Sequence, residues 1–549
     1  MASKQHPSKQ SKASSGESML PFVKVEQWLK GNSATITYWC IGIGVLFALL
    51  MFNARILETD DANHIEGGYN YAKNFFGYYF TFQAPLYVMF LALPISLFGM
   101  QLIPLKLFST LFYALGLYFF YRSLNGRVRN IIVLPALCIT ALNPVILSYA
   151  SLTFTESFYM MLQALFFLVL ANHLENEQVE QENWKAASKS WLGVGVMLIL
   201  LSLTRNIAVS AVGGLVVYFF IQKKYKSSVI VVAVYAALFG LVEIIKKALW
   251  GEIAASQYGG QTSNIFLKNT YDPSAGTETF GGFIERFLVN PQIFFSSRFL
   301  EMLGLRGENS EPNILLTIIV VGLILFGAYR MLKNREKILL AMALYSIVMC
   351  AAMFLALQTS WGQVRYIMIH LPLFLVTIFY GLYDLNKRTN NSLYRLTFVV
   401  ITVGLIVLNF VDSAKAASTN FPILQKNLQG DIYYGYPDAW ASYTRLSRWC
   451  ADSLGSEAQI ACRKPAVSFI YGRGKSFPGI YNVPSTDPDT LLQLLKNAGA
   501  THIILDAIAG TVYRYMTTIE QRYPGTFEAI RQEGRNQTAA VLFKINYRK

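Results

Sequence analysis

Eleven apolar stretches follow one another along this chain, and nothing else in it constrains the fold as strongly. They cover residues 35–56, 103–121, 131–149, 157–173, 190–204, 206–222, 228–247, 313–332, 338–357, 366–384 and 394–412. An α-helix rises 1.5 Å per residue, so about 20 apolar residues cross the roughly 30 Å hydrocarbon layer of a bilayer. Lipid offers no hydrogen bonds, so a crossing stretch must satisfy its own backbone, which a helix does. The composition agrees: 54% of residues are hydrophobic and 14% charged, which argues against a large soluble enzyme. Residues 190–222 are the weakest part of the series, because Arg205 interrupts them. No cleavable signal peptide is evident, since the first residues are polar and Ser/Lys-rich. The expected fold is an α-helical polytopic membrane protein of about eleven spans with a small C-terminal α/β domain.

Basic residues in short loops set the orientation. Arg122, Arg127 and Arg129 form one cluster, Lys223, Lys224 and Lys226 a second, Arg330, Lys333, Arg335 and Lys337 a third, and Lys387, Arg388 and Arg395 a fourth. Placing all four in the cytoplasm with the polar tail 1–34 obeys the positive-inside rule. Residues 85–99 then belong to the first external loop, 57–102, as a juxtamembrane helix, because one more crossing there would turn every later cluster outward. The membrane domain is expected over 35–412, with a long external loop at 248–312 lying over a cavity, and an extracytoplasmic domain over 413–549. The net charge of +15 then reflects loops meeting anionic headgroups and calls for no nucleic acid.

This topology collects polar residues on the external side. Asp60 and Asp61 stand at the end of the first stretch, Glu156 lies in LTFTES, Arg205 in LTRN and Arg365 in GQVRY. Charges near hydrocarbon cost several kcal/mol and are kept mainly where function needs them. Carboxylates opposite arginines suit transfer from an anionic lipid carrier: guanidinium groups grip a phosphate, and a carboxylate takes the proton of an incoming hydroxyl. Each residue also has a plainer reading. Asp60 and Asp61 read as a helix cap or solvated loop, Glu156 as a helix N-terminal charge, Arg205 as an interfacial anchor, and Trp361 with Tyr366 as part of an interface belt. His64 and His370 by themselves read as structural histidines.

The run TDDANHIEGGYNYAKNFFGYYFTFQAPLYVMFLALPISLFG, with LTFTESFYMML and GQVRYIMIHLPLF after it, resembles the GT-C glycosyltransferases. The similar subgroup contains the protein O-mannosyltransferases and the bacterial aminoarabinose lipid A transferases, and the likeness covers roughly 35–412. Two departures stand out: Asp61 holds a position where Glu is usual, and Ala84 replaces the first Pro of a Pro-Pro-Leu-Tyr pattern. The resemblance implies an inverting transfer of a sugar from a polyprenyl-phosphate donor to an acceptor hydroxyl on protein, lipid or glycan, in a bacterial cell membrane. It implies Asp60 as general base with Asp61 beside it, Glu156 as a further acidic site residue, and Arg365 as a phosphate contact. Arg205, Tyr366 and His64 complete the expected substrate-binding set. No motif demands a cofactor, and a divalent cation stays open. A transporter or flippase for lipid-linked glycans is the rival reading.

Beyond 412 the pattern is that of a soluble α/β layer. Helices are expected over 440–454, 487–498 and 511–522, and strands over 458–462, 501–506 and 537–546. No phosphate loop, triad or metal spacing stands out there. Cys450 and Cys462 would be free to pair in an oxidising compartment.

Overall fold

The computed structural model describes residues 20–56, 59–182, 184–254, 265–269, 275–308, 310–389, 392–479, 487–508 and 511–547. Helix α1 (Leu20–Leu50) leads into α2 (Thr59–Lys73) and α3 (Leu86–Phe98), followed by α4 (Leu102–Leu124), α5 (Asn130–Ala141) and α6 (Pro144–Ala150). Then come α7 (Thr155–Glu182), α8 (Trp184–Ser202), α9 (Ser210–Ile221) and α10 (Tyr225–Trp250). Helices Ile314–Lys333, Lys337–Ala356, Leu371–Thr389 and Ser392–Leu428 complete the apolar part. Among the described residues, seven helices are individually long and apolar enough to cross a membrane, and the bent pair α5–α6 makes an eighth.

All eleven expected stretches are helical, but three are shorter or broken, and the breaks have causes. The chain bends by 58° between α5 and α6. There Asn143 caps α6 by accepting from the Ile146 N–H at 3.1 Å, while its amide donates to Met302 O at 2.6 Å and Asn409 Oδ1 at 2.8 Å. Between α8 and α9 the helix stops so that Arg205 stands extended before a single 3₁₀ turn. Near residue 369 a turn over Arg365–Met368 precedes Leu371–Thr389, and Gln163 Nε2 donates to the freed Ile369 carbonyl at 2.8 Å. Two of the three interruptions therefore fall beside the arginines that the sequence singles out.

Helix α3 is 13 residues long and holds Pro94, too short for a span of its own. It lies against α2, where Gly67 and Gly68 permit the approach: a Cβ on either would come within 2.7 Å of Val88 or Ile95. The region 248–312 contains helix Phe280–Pro291 and a π-helical turn, Gln292–Arg298. Asn290 donates to the carbonyls of Phe354 and Leu357, and Arg298 to Gly362 O at 2.6 Å. This region thus braces the segment that carries Arg365. Residues 255–264 and 270–274, which the lid expectation includes, lie outside the described residues.

Helix Ser392–Leu428 runs on past the apolar stretch and delivers the chain to the C-terminal α/β part. Its sheet has the order β1 (Ile460–Ala461), β2 (His502–Leu505), β4 (Ala540–Ile545), β3 (Phe527–Glu533). The β1–β2 pair is parallel, the others antiparallel, with a bulge at Ala529/Arg531. Helices Asp438–Ser453, Pro488–Asn497 and Thr511–Arg522 lie where the periodicity expects them. Strand β3 and the short helix Pro465–Tyr471 carry too many charges or too few residues to show in the pattern. Tyr443, Val467, Phe469 and Tyr471 share one continuous core with the membrane helices, whereas Leu491, Ile503, Met516 and Ile519 form a separate one. Cys450 and Cys462 are separate buried thiols.

Candidate active site

Asp60 and Asp61 open α2, where the helix dipole favours negative charge. Asp60 Oδ2 lies 2.8 Å from Arg365 Nη1. Glu156, in the first turn of α7, is almost wholly buried, and its Oε1 lies 3.0 Å from Arg205 Nη1. The two ion pairs are neighbours, because the Tyr366 ring lies under both guanidinium groups, 5.2 Å from Arg365 Cζ and 5.8 Å from Arg205 Cζ. Phe154 adds a face to Arg365 at 5.7 Å and Tyr159 one to Arg205 at 5.9 Å. Segments separated by up to about 300 residues in sequence therefore meet in one constellation of two carboxylates, two guanidiniums and three aromatic rings.

The arginines are unevenly satisfied. Arg365 Nη2 reaches the Tyr366 hydroxyl only at 3.4 Å, and its buried Nε–H has no hydrogen-bond partner among the described residues. The buried indole N–H of Trp361, four residues earlier, is also without one. An unmade buried hydrogen bond costs about 1–3 kcal/mol. Two such donors, one of them on Arg365 itself, thus occur within five residues of the chain, and an unpartnered guanidinium N–H is suited to an anion.

Asp61 turns to different company. It is buried and lies within electrostatic reach of Lys106, Tyr436 and Tyr471. Lys106, in α4, is fully buried; its Nζ donates to Asn53 O at 2.8 Å, Asn53 Oδ1 at 3.0 Å and Arg55 O at 2.9 Å. Tyr436 and Tyr471, whose hydroxyls are 2.9 Å apart, hold the same segment from the C-terminal side through the backbone of Ile56 and Ala54. The adjacent acids are thus separated by environment: Asp60 faces the arginines, while Asp61 helps fix the connection from α1 to α2. Sequence reasoning missed Lys106, although a lone charge within the apolar run 103–121 is the signal that exposes it.

His64 is buried beneath Asp60. Its Nδ1 is 3.3 Å from the Thr153 carbonyl and its Nε2 3.0 Å from the Gln83 side-chain oxygen. Burial pushes its pKa below the usual histidine value, against the pull of Asp60, Gln83, Glu156 and the Thr153 carbonyl. A neutral imidazole donates through one ring nitrogen at a time, so the side chain ties α2 either to the Thr153 carbonyl before α7 or to the Gln83 side chain before α3. His370 is also buried and packs against Tyr345 and Phe374. Among the described residues, no three His, Cys, Asp or Glu side chains converge as metal ligands.

The fold is shared with two solved structures, an oligosaccharyltransferase and ArnT. An Archaeoglobus fulgidus oligosaccharyltransferase in its apo form superposes with a TM-score of 0.56 at 12% identity, over 88% of this chain and 71% of that one. ArnT from Cupriavidus metallidurans bound to undecaprenyl phosphate superposes with a TM-score of 0.52 at 13% identity, over 93% of this chain and 98% of that one. No protein-family model matches the sequence, and no curated protein matches it.

Proposed function

We propose that the protein is an inverting membrane glycosyltransferase that moves a sugar from a polyprenyl-phosphate carrier to an acceptor hydroxyl on the extracytoplasmic face. The observation that carries this reading is the pairing of Asp60 with Arg365 beside Glu156 and Arg205, with buried N–H groups on Arg365 and Trp361 unpartnered among the described residues. The fold shared with ArnT, solved bound to undecaprenyl phosphate, supports a lipid-phosphate donor of the same kind.

In this scheme the donor phosphate docks on Arg365 and the Trp361 N–H, competing with Asp60 for the guanidinium. Asp60 is thereby released toward the acceptor, so the base becomes available only when donor is present. The acceptor oxygen attacks the anomeric carbon on the face opposite the phosphate, and Asp60 takes its proton. The anomeric carbon–oxygen bond breaks with its electron pair going to the phosphate, whose growing charge Arg365 and Arg205 stabilise. Glu156 holds Arg205 in place, and His64 holds α2. Arginines supply the charge neutralisation, so transfer is expected to survive a chelator; loss of transfer that a divalent cation restores would add an ion to the scheme.

The test uses purified protein in vesicles with a polyprenyl-phosphate sugar labelled in the sugar. Appearance of free polyprenyl phosphate with label on an acceptor is expected. Intact glycolipid crossing the bilayer with no bond broken would instead identify a flippase. Orientation is checked with a Tyr225→Cys variant, which should resist labelling from outside intact cells.

A further inference from the structure

Three helices carry a site residue at one end and approach a second polar region at the other. Helix α4 runs from Lys106 toward Arg127, α7 from Glu156 to Glu175, and the segment beginning at Arg365 reaches Asp384, Lys387 and Arg388. Nineteen residues separate Glu156 from Glu175, about 28 Å along a helix and close to the thickness of a bilayer core. At that far end lies a cavity of about 490 Å³ between the start of α5, the end of helix Ile314–Lys333 and the end of helix Leu371–Thr389.

The charges lining it are unequally occupied. Of its carboxylates, Asp384 is held by Arg330, by Asn334 at 2.9 Å and by Arg388 at 3.2 Å, while Glu336 accepts a hydrogen bond from the Tyr380 hydroxyl at 3.2 Å and makes no ion pair among the described residues. Arg127 is also taken, by Glu175 and Asn172. The remaining cations keep donors unused among the described residues. Arg129 donates from one Nη to the Tyr383 hydroxyl at 2.6 Å and lies over its ring at 5.4 Å, which fixes its plane and leaves other donors unused among the described residues. Arg388 gives only its Nε to Asp384. Lys387 makes no ion pair among the described residues and, like Arg129, is exposed at the cavity wall.

We propose that this cavity binds a phosphate-bearing anion, and that the anion is the headgroup of an acidic lipid in the leaflet opposite the candidate active site. A planar guanidinium held by a ring, with an ammonium and a second guanidinium around one cavity, matches a phosphodiester in geometry and sign. The distance along α7 puts the cavity at headgroup depth, and cationic pockets between spanning helices are where acidic headgroups bind. A bound headgroup would bridge three helices and therefore stabilise their packing.

The test measures thermal unfolding of the full-length protein in phosphatidylcholine nanodiscs, with phosphatidylglycerol, glycerol phosphate or inorganic phosphate added. Phosphatidylglycerol should raise the midpoint by about 2–4 °C, and the double variant Arg129→Gln/Lys387→Gln should lose that rise. Lys226→Gln, which removes a charge from another loop, should keep it. A rise of equal size from glycerol phosphate or inorganic phosphate alone supports the phosphate site but assigns the ligand to solution. Should the double variant misfold, Arg129→Lys, which keeps the charge but not the fork, must still weaken the effect at least threefold in lipid concentration. An unchanged rise in the double variant or in Arg129→Lys, an equal loss in Lys226→Gln, or no rise with any phosphate compound would overturn the proposal. The readout is binding and does not depend on sugar transfer.

Discussion

Arg127 and Arg365 sit at opposite ends of the same bundle and treat their hydrogen bonds in opposite ways. Arg127 donates to both oxygens of Glu175 at 2.7 Å, to Asn172 at 2.7 Å, and to the carbonyls of Arg122 and Ser123 at 3.2 Å. It ties the loop after α4 to the end of α7 and has no donor left over. Arg365 has one carboxylate, one long contact to a hydroxyl, and a buried N–H with no hydrogen-bond partner among the described residues. A guanidinium saturated by protein is scaffold. One kept under-satisfied in a buried, aromatic-lined place carries a standing cost that a ligand would relieve. Charge at the margin of an apolar run, which both residues share in sequence, does not tell them apart, whereas hydrogen-bond accounting does.

The comparison breaks most visibly at Asp60. Asp60→Asn keeps the shape but cannot take a proton, so transfer should fall by about two to four orders of magnitude with fold and donor binding retained. Asp61→Asn should act mainly on stability, because it leaves Lys106 buried with less opposing charge. If the two effects are exchanged in a purified, well-folded preparation, the base is Asp61. Loss of less than tenfold in both variants would leave the glycosyltransferase reading without a catalytic centre.

Arg365→Ala should weaken donor binding by about ten- to a hundredfold, the equivalent of losing a charged hydrogen bond or two. Arg365→Lys should recover only part, since a point charge lacks the two-pronged grip. Arg127→Gln is the counterpart: a lower thermal midpoint, with unchanged donor affinity and unchanged turnover per folded molecule. Equal effects of Arg127 and Arg365 substitutions on donor affinity would erase the distinction drawn here.

The smallest effect concerns His64. Its folded-state pKa lies below the value of about 6.5 for an exposed histidine. Below that pH the unfolded chain takes up a proton that the folded one refuses, so stability falls as pH falls through this window. His64→Gln should flatten the midpoint-versus-pH curve of the isolated protein below about pH 6.5. An unaltered curve would show that the acid sensitivity lies elsewhere.

Much of the fold was legible in the chain because bilayer thickness and backbone satisfaction act locally. A stretch such as 338–357 needs no partner to declare itself a helix, and Asp487-Pro488 announces the helix Pro488–Asn497 by its cap alone, the Asp487 carboxylate accepting from the Thr490 N–H at 2.9 Å. Asp60, Glu156, Arg205 and Arg365 were legible because charge at the margin of an apolar run is costly. The broken stretches were not, since their causes lie elsewhere: Gln163 satisfies Ile369 from α7, and Asn409 and Met302 hold Asn143 from two other segments. Nor could the sequence divide Asp60 from Asp61. Adjacent residues carry the same local signals, and only the docking of Arg365 on one side and of Lys106, Tyr436 and Tyr471 on the other gives the two carboxylates different surroundings. Composition and periodicity determined that the chain crosses a membrane and which charges it exposes at the margins. Which charge meets which was decided by long-range packing, because pairing energies depend on distances that no stretch of sequence contains.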